Sequence, residues 1–218
     1  MMIPENCTVI HREVKHARLR VHEDGSVRLF VPNSFTNEQI EKVLEMKAEW
    51  IASKQKFFKQ KGKILLSRNE ILLFGNRYSY FCSSQYQHKV VINHDSKTIQ
   101  AKRDLLNMEI QEKWLKGVAG TYIRKRVNEL SEKLLLPYLQ LYVRNQKSKW
   151  GNCSVKKNIS INWRIIKAPP FVIDYIITHE LCHTVIMKHS VKFQTLLQSH
   201  CPCYEQAQKW LEKYGNSL

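Results

Sequence analysis

Residues 178–190 read Thr178-His179-Glu180-Leu181-Cys182-His183-Thr184-Val185-Ile186-Met187-Lys188-His189-Ser190, three histidines and one glutamate beside an apolar run. His179 and His183 are four apart, so on a helix their rings lie one above the other on the same face. Glu180 follows the first histidine, where its carboxylate can reach a water on a metal held by the pair. In this H-E-x-x-H arrangement two imidazoles hold zinc and the glutamate activates its water. Unrelated core histidines would have no need of an acid in that place. A catalytic site of this kind needs a third protein ligand and leaves the fourth position for water. His189, six residues beyond His183, is the first candidate, with His200 and Glu205 as alternatives. Ile186 stands where some zinc peptidases have a glycine that turns the chain. The turn must then come from Lys188, His189 and Ser190, or from a looser helix end.

Outward from this stretch, Pro169-Pro170 opens the helix that carries it. The strand Ile159–Trp163 alternates cleanly before it and is a candidate edge for pairing with an extended peptide. Leu139–Val143 is a further strand, and a long helix covers about residues 105–136, stopped by Pro137. Beyond the quoted stretch, more helix is expected at Val191–Ser199 and Tyr204–Tyr214. Towards the start, residues 8–31 alternate in the strand manner around an Asp24-Gly25 turn. Thr36 can cap a helix running to about Phe58, followed by the lysine run Lys54, Lys56, Lys59, Lys61 and Lys63, most simply a solvated face. Short strands return between Ile71 and about Ala101. These elements make an α+β chain, strand-rich over residues 1–103 and helix-rich over 104–218, with the H-E-x-x-H helix in the second part.

With 43% hydrophobic and 10% aromatic residues, the 218-residue chain can bury a sizeable core. It has no apolar run long enough for a membrane helix and no secretory layout at its start, so a cytoplasmic protein with no membrane partner is expected. The six cysteines form no paired framework and are expected to be reduced; Cys201-Pro202-Cys203 is too short for a C-x-x-C zinc hairpin. The net charge is +16. Residues 1–110 hold 18 basic and 12 acidic side chains (+6), and residues 111–218 hold 17 and 7 (+10), so the excess is no detachable tail. A surface of that sign attracts polyanions, nucleic acid first.

The residues Lys147, Ser148, Trp150, Gly151, Cys153 and Ser154, then Asn162-Trp163-Arg164, Pro169, Asp174-Tyr175, the H-E-L-C-H and finally His189-Ser190 with Phe193 form an ordered set. In it the chain resembles the YgjP-like metallopeptidases. It departs from their pattern at Lys149, usually Arg, at Asn152, usually Ser, and at Gln194, often Trp. Arginine's bidentate contacts would not survive in Lys149. The likeness extends back through residues 17–51 and 72–81, nearly the whole chain. It implies a zincin-like metallopeptidase core, an active-site helix under a small mixed sheet, and a kinship with SprT-like proteases that act on proteins crosslinked to DNA.

On this reading His179, His183 and His189 hold Zn2+ and Glu180 is the general base of peptide-bond hydrolysis. Peptides or proteins are the substrates, and the charge allows substrates bound to DNA. Two other classes compete. One is a basic nucleic-acid-binding module with a structural zinc, in which Glu180 has no task and a fourth protein ligand closes the site. The other is a non-peptide metal-dependent hydrolase. Asp174, five residues before His179, is read as a first-turn carboxylate favoured by the helix dipole. Trp150 and Trp163 are read as core, and Cys153 and Cys182 as small buried hydrophobes. Tyr175 and Tyr204 are open candidates for an oxyanion donor.

Overall fold

The computed structural model describes residues 6–22, 24–60, 62–86 and 89–218, so Lys61 of the lysine run and the first five residues lie outside the described residues. The chain forms two compact units, Met1–Gly62 and Lys63–Leu218.

In the first unit, β1 (Cys7–Arg12), β2 (Arg18–Val21) and β3 (Val27–Pro32) form a sheet in the order β1-β3-β2. β2 and β3 are the expected hairpin. Gly25 in its turn has φ +83°, a conformation that only a residue without Cβ adopts freely. β1 adds in parallel on the other side of β3. Leu29 and Val31 pack with Ile40 and Leu44 of α1 (Asn37–Met46). Thr36 caps α1 in a reciprocal box with Gln39: Thr36 Oγ1 accepts from the Gln39 N–H, and Gln39 Oε1 accepts from the Thr36 N–H. The single helix expected to Phe58 is in fact two. It breaks at Lys47, and in α2 (Ala48–Gln60) Ile51 packs on the same cluster.

The second unit opens with β4 (Glu70–Leu73), β5 (Asn76–Cys82), β6 (Val91–Asn93) and β7 (Thr98–Ala101), in the order β4-β5-β7-β6. The long helix α3 (Met108–Leu134) follows, with Asn107 accepting from the N–H groups of Glu109 and Ile110. Its end is Leu135, left-handed at φ 56°, ahead of Pro137. β8 (Gln140–Arg144), β9 (Gly151–Cys153) and β10 (Asn158–Asn162) form a mixed sheet in the order β8-β10-β9, parallel on one side and antiparallel on the other. β10, the candidate substrate edge, is therefore the central strand; the edge strand that pairs antiparallel to it is β9. A 3-10 helix (Trp163–Lys167) leads into α4 (Pro170–Cys182), then α5 (Val191–His200) and α6 (Tyr204–Tyr214).

The compact units part between Gly62 and Lys63, forty residues before the change in composition at 103. The sheet β4–β7 follows the helical part because they share a core: Ile71, Leu73, Tyr78 and Ile99 cluster with Leu115, Ile123, Ile165 and Ile173. The joint is a backbone one. Phe74 N–H and Gly75 N–H donate to the carbonyls of Ile166 and Lys167, both at 2.9 Å. Gly75, at φ +74°, lies so close to Pro169 that a Cβ would sit 2.5 Å from its Cγ. Gly75→Ala carries both a left-handed backbone cost and a clash, and is expected to destabilise the protein by about 2–4 kcal/mol in denaturant unfolding. A loss within about 0.5 kcal/mol, the range of an ordinary surface change, would mean the joint is not a constraint.

Candidate metal centre

Helix α4 is apolar on nearly every face. Val172, Ile173, Tyr175, Ile176, Ile177, Leu181 and Cys182 are all buried, as is Glu180 among them at 5% exposure. The helix ends at Cys182, with His183 as its cap, and a loose run of turns continues through Val185. Val185 N–H and Ile186 N–H both reach back to the Cys182 carbonyl. Both expected sources of the turn are used: the helix end loosens, and at Lys188-His189-Ser190 the Ser190 N–H donates back to the Lys188 carbonyl at 2.7 Å. Ser190 restarts helix as the cap of α5, accepting from Phe193 N–H at 3.4 Å.

This path brings the Nε2 atoms of His179, His183 and His189 to 3.1–3.2 Å from one another. The Nδ1 of His183 faces the Ile186 carbonyl at 3.0 Å. A carbonyl can only accept, so the His183 proton sits on Nδ1 and its Nε2 presents a lone pair to the centre. Burial first, and then the other two rings, hold His179 down to about 4, and burial also lowers His183. Neutral imidazoles whose lone pairs converge at this spacing repel one another unless they share a cation, and three nitrogen donors suit a divalent metal. The residues therefore fit a metal. The ring of Phe193 forms a floor, stacked on His183 at 4.4 Å and edge-on to His179 and His189 at 5.0 and 4.9 Å. The alternative third ligands lie elsewhere: neither His200 nor Glu205 belongs to the cluster. The Glu205 carboxylate accepts from the Tyr204 hydroxyl, which itself accepts from Gln198, so Tyr204 is occupied. Tyr175 sets its ring edge against His179, at 5.9 Å.

Glu180 Oε2 is buried with no partner among the described residues. Desolvation pushes its carboxyl up to about 7, with the Lys149 charge pulling the other way. Gly151 on β9 lies against it: a Cβ there would lie 2.7 Å from both Cγ and Oε1 of Glu180. The glycine is required because a carboxylate fills the space its side chain would take. The segment ahead of β9 is held by Asn162, 3% exposed at the end of β10. Its Nδ2 donates to the carbonyls of Gln146 (2.8 Å) and Lys149 (3.0 Å), and its Oδ1 accepts from Arg164 N–H (3.2 Å). Gln146 in turn donates to Asn152 Oδ1 at 2.5 Å.

Asp174 does more than favour a helix dipole. Its two carboxylate oxygens accept from Nε and Nη2 of Arg126 at 2.7 and 2.8 Å, clamping α4 to α3. Trp163 is core at 3% exposure, and Trp150 is partly buried on the same cluster. Cys182 is fully buried and burial raises its thiol to about 11, which fits a small hydrophobe rather than a nucleophile. The H-E-x-x-H spacing located the first two histidines and the glutamate. The parts played by Gly151, Asn162, Arg126 and Phe193 depend on contacts between distant segments, and only the W-G-N-C and H-S-x-x-F spacings hinted at two of them.

Two outcomes are expected. Gly151→Ala should leave metal content unchanged while lowering kcat/KM about a hundredfold, because the Glu180 carboxylate is displaced by the new methyl group; wild-type turnover would show that the space is not needed. For metal-free protein, Glu180 has a folded pKa above its usual 4.5. The unfolded chain releases that proton first, so the contribution of Glu180 to stability should fall as pH rises from about 4.5 to about 7, by about 3 kcal/mol, while His179, held down to about 4, contributes a rise over much of the same range. Glu180→Gln should remove this decline, seen as a larger gain over wild type at pH 8 than at pH 5. An equal difference at both pH values would refute it.

The family model for the YgjP-like metallopeptidase domain matches residues 15–214. Among solved structures, the crystal structure of the metallopeptidase zymogen jannalysin from Methanocaldococcus jannaschii is similar at 26% identity, covering 40% of this chain and 93% of that one with a TM-score of 0.35. No curated protein matches the chain. With a match over nearly its whole length and a histidine cluster able to hold a metal, the chain belongs to the YgjP-like metallopeptidases and is a metal-dependent peptidase.

Proposed function

We propose that the unit Lys63–Leu218 is a zincin-like catalytic domain that hydrolyses peptide bonds with Zn2+ held by His179, His183 and His189 and with Glu180 as general base. The observation that carries this is the unpartnered, buried Oε2 of Glu180 on the helix that supplies two of the three converging imidazoles. When bound, the metal supplies Lewis acidity to a carbonyl and lowers the pKa of water. With its carboxyl near 7, Glu180 is suited to take a proton from the attacking water at Oε2 and return it to the leaving amine. The phenyl ring of Phe193 keeps water from the underside of the imidazoles.

The edge strand β9 is the natural seat for an extended substrate. Trp150 O accepts from Asn162 N–H and Ser154 N–H donates to Asn158 O, so the alternation of an antiparallel pair turns the backbone groups of Gly151 and Cys153 away from β10. A peptide pairing there runs beside Glu180, which Gly151 touches. A structural zinc in a nucleic-acid-binding module would want a fourth protein ligand, and the cluster among the described residues offers three. The net charge of +16 supports substrates associated with nucleic acid. No helix among the described residues is long and apolar enough to cross a membrane.

The test is proteolysis of an unstructured basic protein by the zinc-loaded enzyme, with and without single-stranded DNA, beside Glu180→Gln. Glu180→Gln should bind zinc as tightly as wild type and lose at least about 10²-fold in turnover. His189→Ala should lose both zinc and activity. Cleavage that survives in Glu180→Gln would remove the glutamate from the chemistry. Stimulation by DNA would support nucleic-acid-associated substrates, and equal rates with and without it would count against them.

A further inference from the structure

We propose that the solvent face of the β1-β3-β2 sheet is a binding surface for single-stranded nucleic acid, with Arg12, Arg18, Arg20 and Arg28 as phosphate contacts and Phe30 as a stacking platform.

The placement follows from strand alternation. Val27, Leu29 and Val31 point into the core of the first unit, at 2%, 0% and 0% exposure, and the helices of that unit cover this side. Arg28 and Phe30 therefore stand on the other face. The register puts Arg20 directly opposite Arg28 and Arg18 opposite Phe30 across β2 and β3. On the β1 side it sets Ile10 beside Phe30 and Arg12 beside Pro32. All four arginines are exposed, and Phe30 is half-buried with the Arg12 guanidinium 5.5 Å from its ring centre.

Like charges directly opposite each other on a sheet are destabilising. Among the described residues the cost has no acidic offset. The three strands contain no Asp or Glu, and among the described residues Arg18, Arg20 and Arg28 have no acidic partner. A face that concentrates one sign of charge in this way is complementary to a polyanion. The aromatic ring among the guanidinium groups selects the kind. Planar groups of both types stack on bases, and a flat sheet face can take bases laid side by side as a helical groove reader cannot. The inference deepens the nucleic-acid part of the proposed function and rests on it for the choice of partner. It needs no metal and no peptide cleavage, so it can fail while the peptidase reading stands.

The experiment is fluorescence anisotropy of a fluorescein-labelled oligothymidylate of about 15 nucleotides with the full chain, across a series of salt concentrations. Against wild type stand R18A/R20A/R28A, R18K/R20K/R28K and the single changes Arg20→Thr and Phe30→Leu. The alanine triple should bind at least tenfold more weakly, and its plot of log affinity against log salt should be shallower by about 2, roughly 0.7 for each lost phosphate contact. The lysine triple should keep the wild-type slope. Arg20→Thr should weaken binding several-fold and melt no lower than wild type, since it removes an opposed charge. Phe30→Leu should weaken binding without changing the slope. Wild-type affinity and slope in the alanine triple would overturn the proposal and put any nucleic acid elsewhere on the protein. No binding by wild type even at low salt would overturn it together with the nucleic-acid reading. Equal affinity for polyglutamate would overturn it in favour of an acidic protein partner, and a lower melting point for Arg20→Thr would contradict the repulsion from which it starts.

Discussion

A helix that is apolar all round has to be enclosed, and α4 is such a helix. The second unit is arranged to meet that demand. The sheet β8-β10-β9 and the 3-10 helix lie against it, α3 is clamped to it through Arg126 and Asp174, and α5 and α6 pack on it from the chain beyond. Even the distant sheet β4–β7 is drawn in, because its Phe74-Gly75 turn bonds to the segment leading into α4. Enclosure fixes the helix rigidly, and rigidity is what a metal centre needs from its scaffold.

Burial then sets the chemistry of the polar groups that α4 carries. His179 is kept neutral and the Glu180 carboxyl is raised, both with desolvation as the first cause. One environment thus leaves imidazoles that could bind a cation without first shedding a proton, beside a carboxyl whose pKa lies near neutrality. The third imidazole of the cluster comes from outside the helix. His189 is exposed and stands in the link between α4 and α5, held on one side by the Ser190 cap and underneath by Phe193. Two of the clustered imidazoles are positioned by burial and the third by local capping.

The sequence exposes some of this and hides the rest for physical reasons. A helical spacing of four survives in the linear order, so His179, Glu180 and His183 are legible together, and Pro169-Pro170 marks where their helix begins. Turn chemistry at Asp24-Gly25 and the cap at Thr36 are equally local. The centrality of β10 is not local, since it depends on which strands flank it, and no turn residue marks the break at Lys47. The domain boundary expected at 103 rested on composition, which changes where strands give way to α3, whereas compactness depends on which side chains share a core. Asp174 looked like a dipole partner because Arg126 is far away in sequence and near only in the fold.

The close approach of Gly151 to Glu180 reaches down to the gene. Every missense change of a glycine codon installs a side chain, and at position 151 any side chain enters the volume of the carboxylate. At the neighbouring Asn152 the side chain meets Gln146 rather than the acid. Adjacent codons of one short strand thus meet different constraints, one set by a volume that must stay empty and the other by a side chain that reaches Gln146.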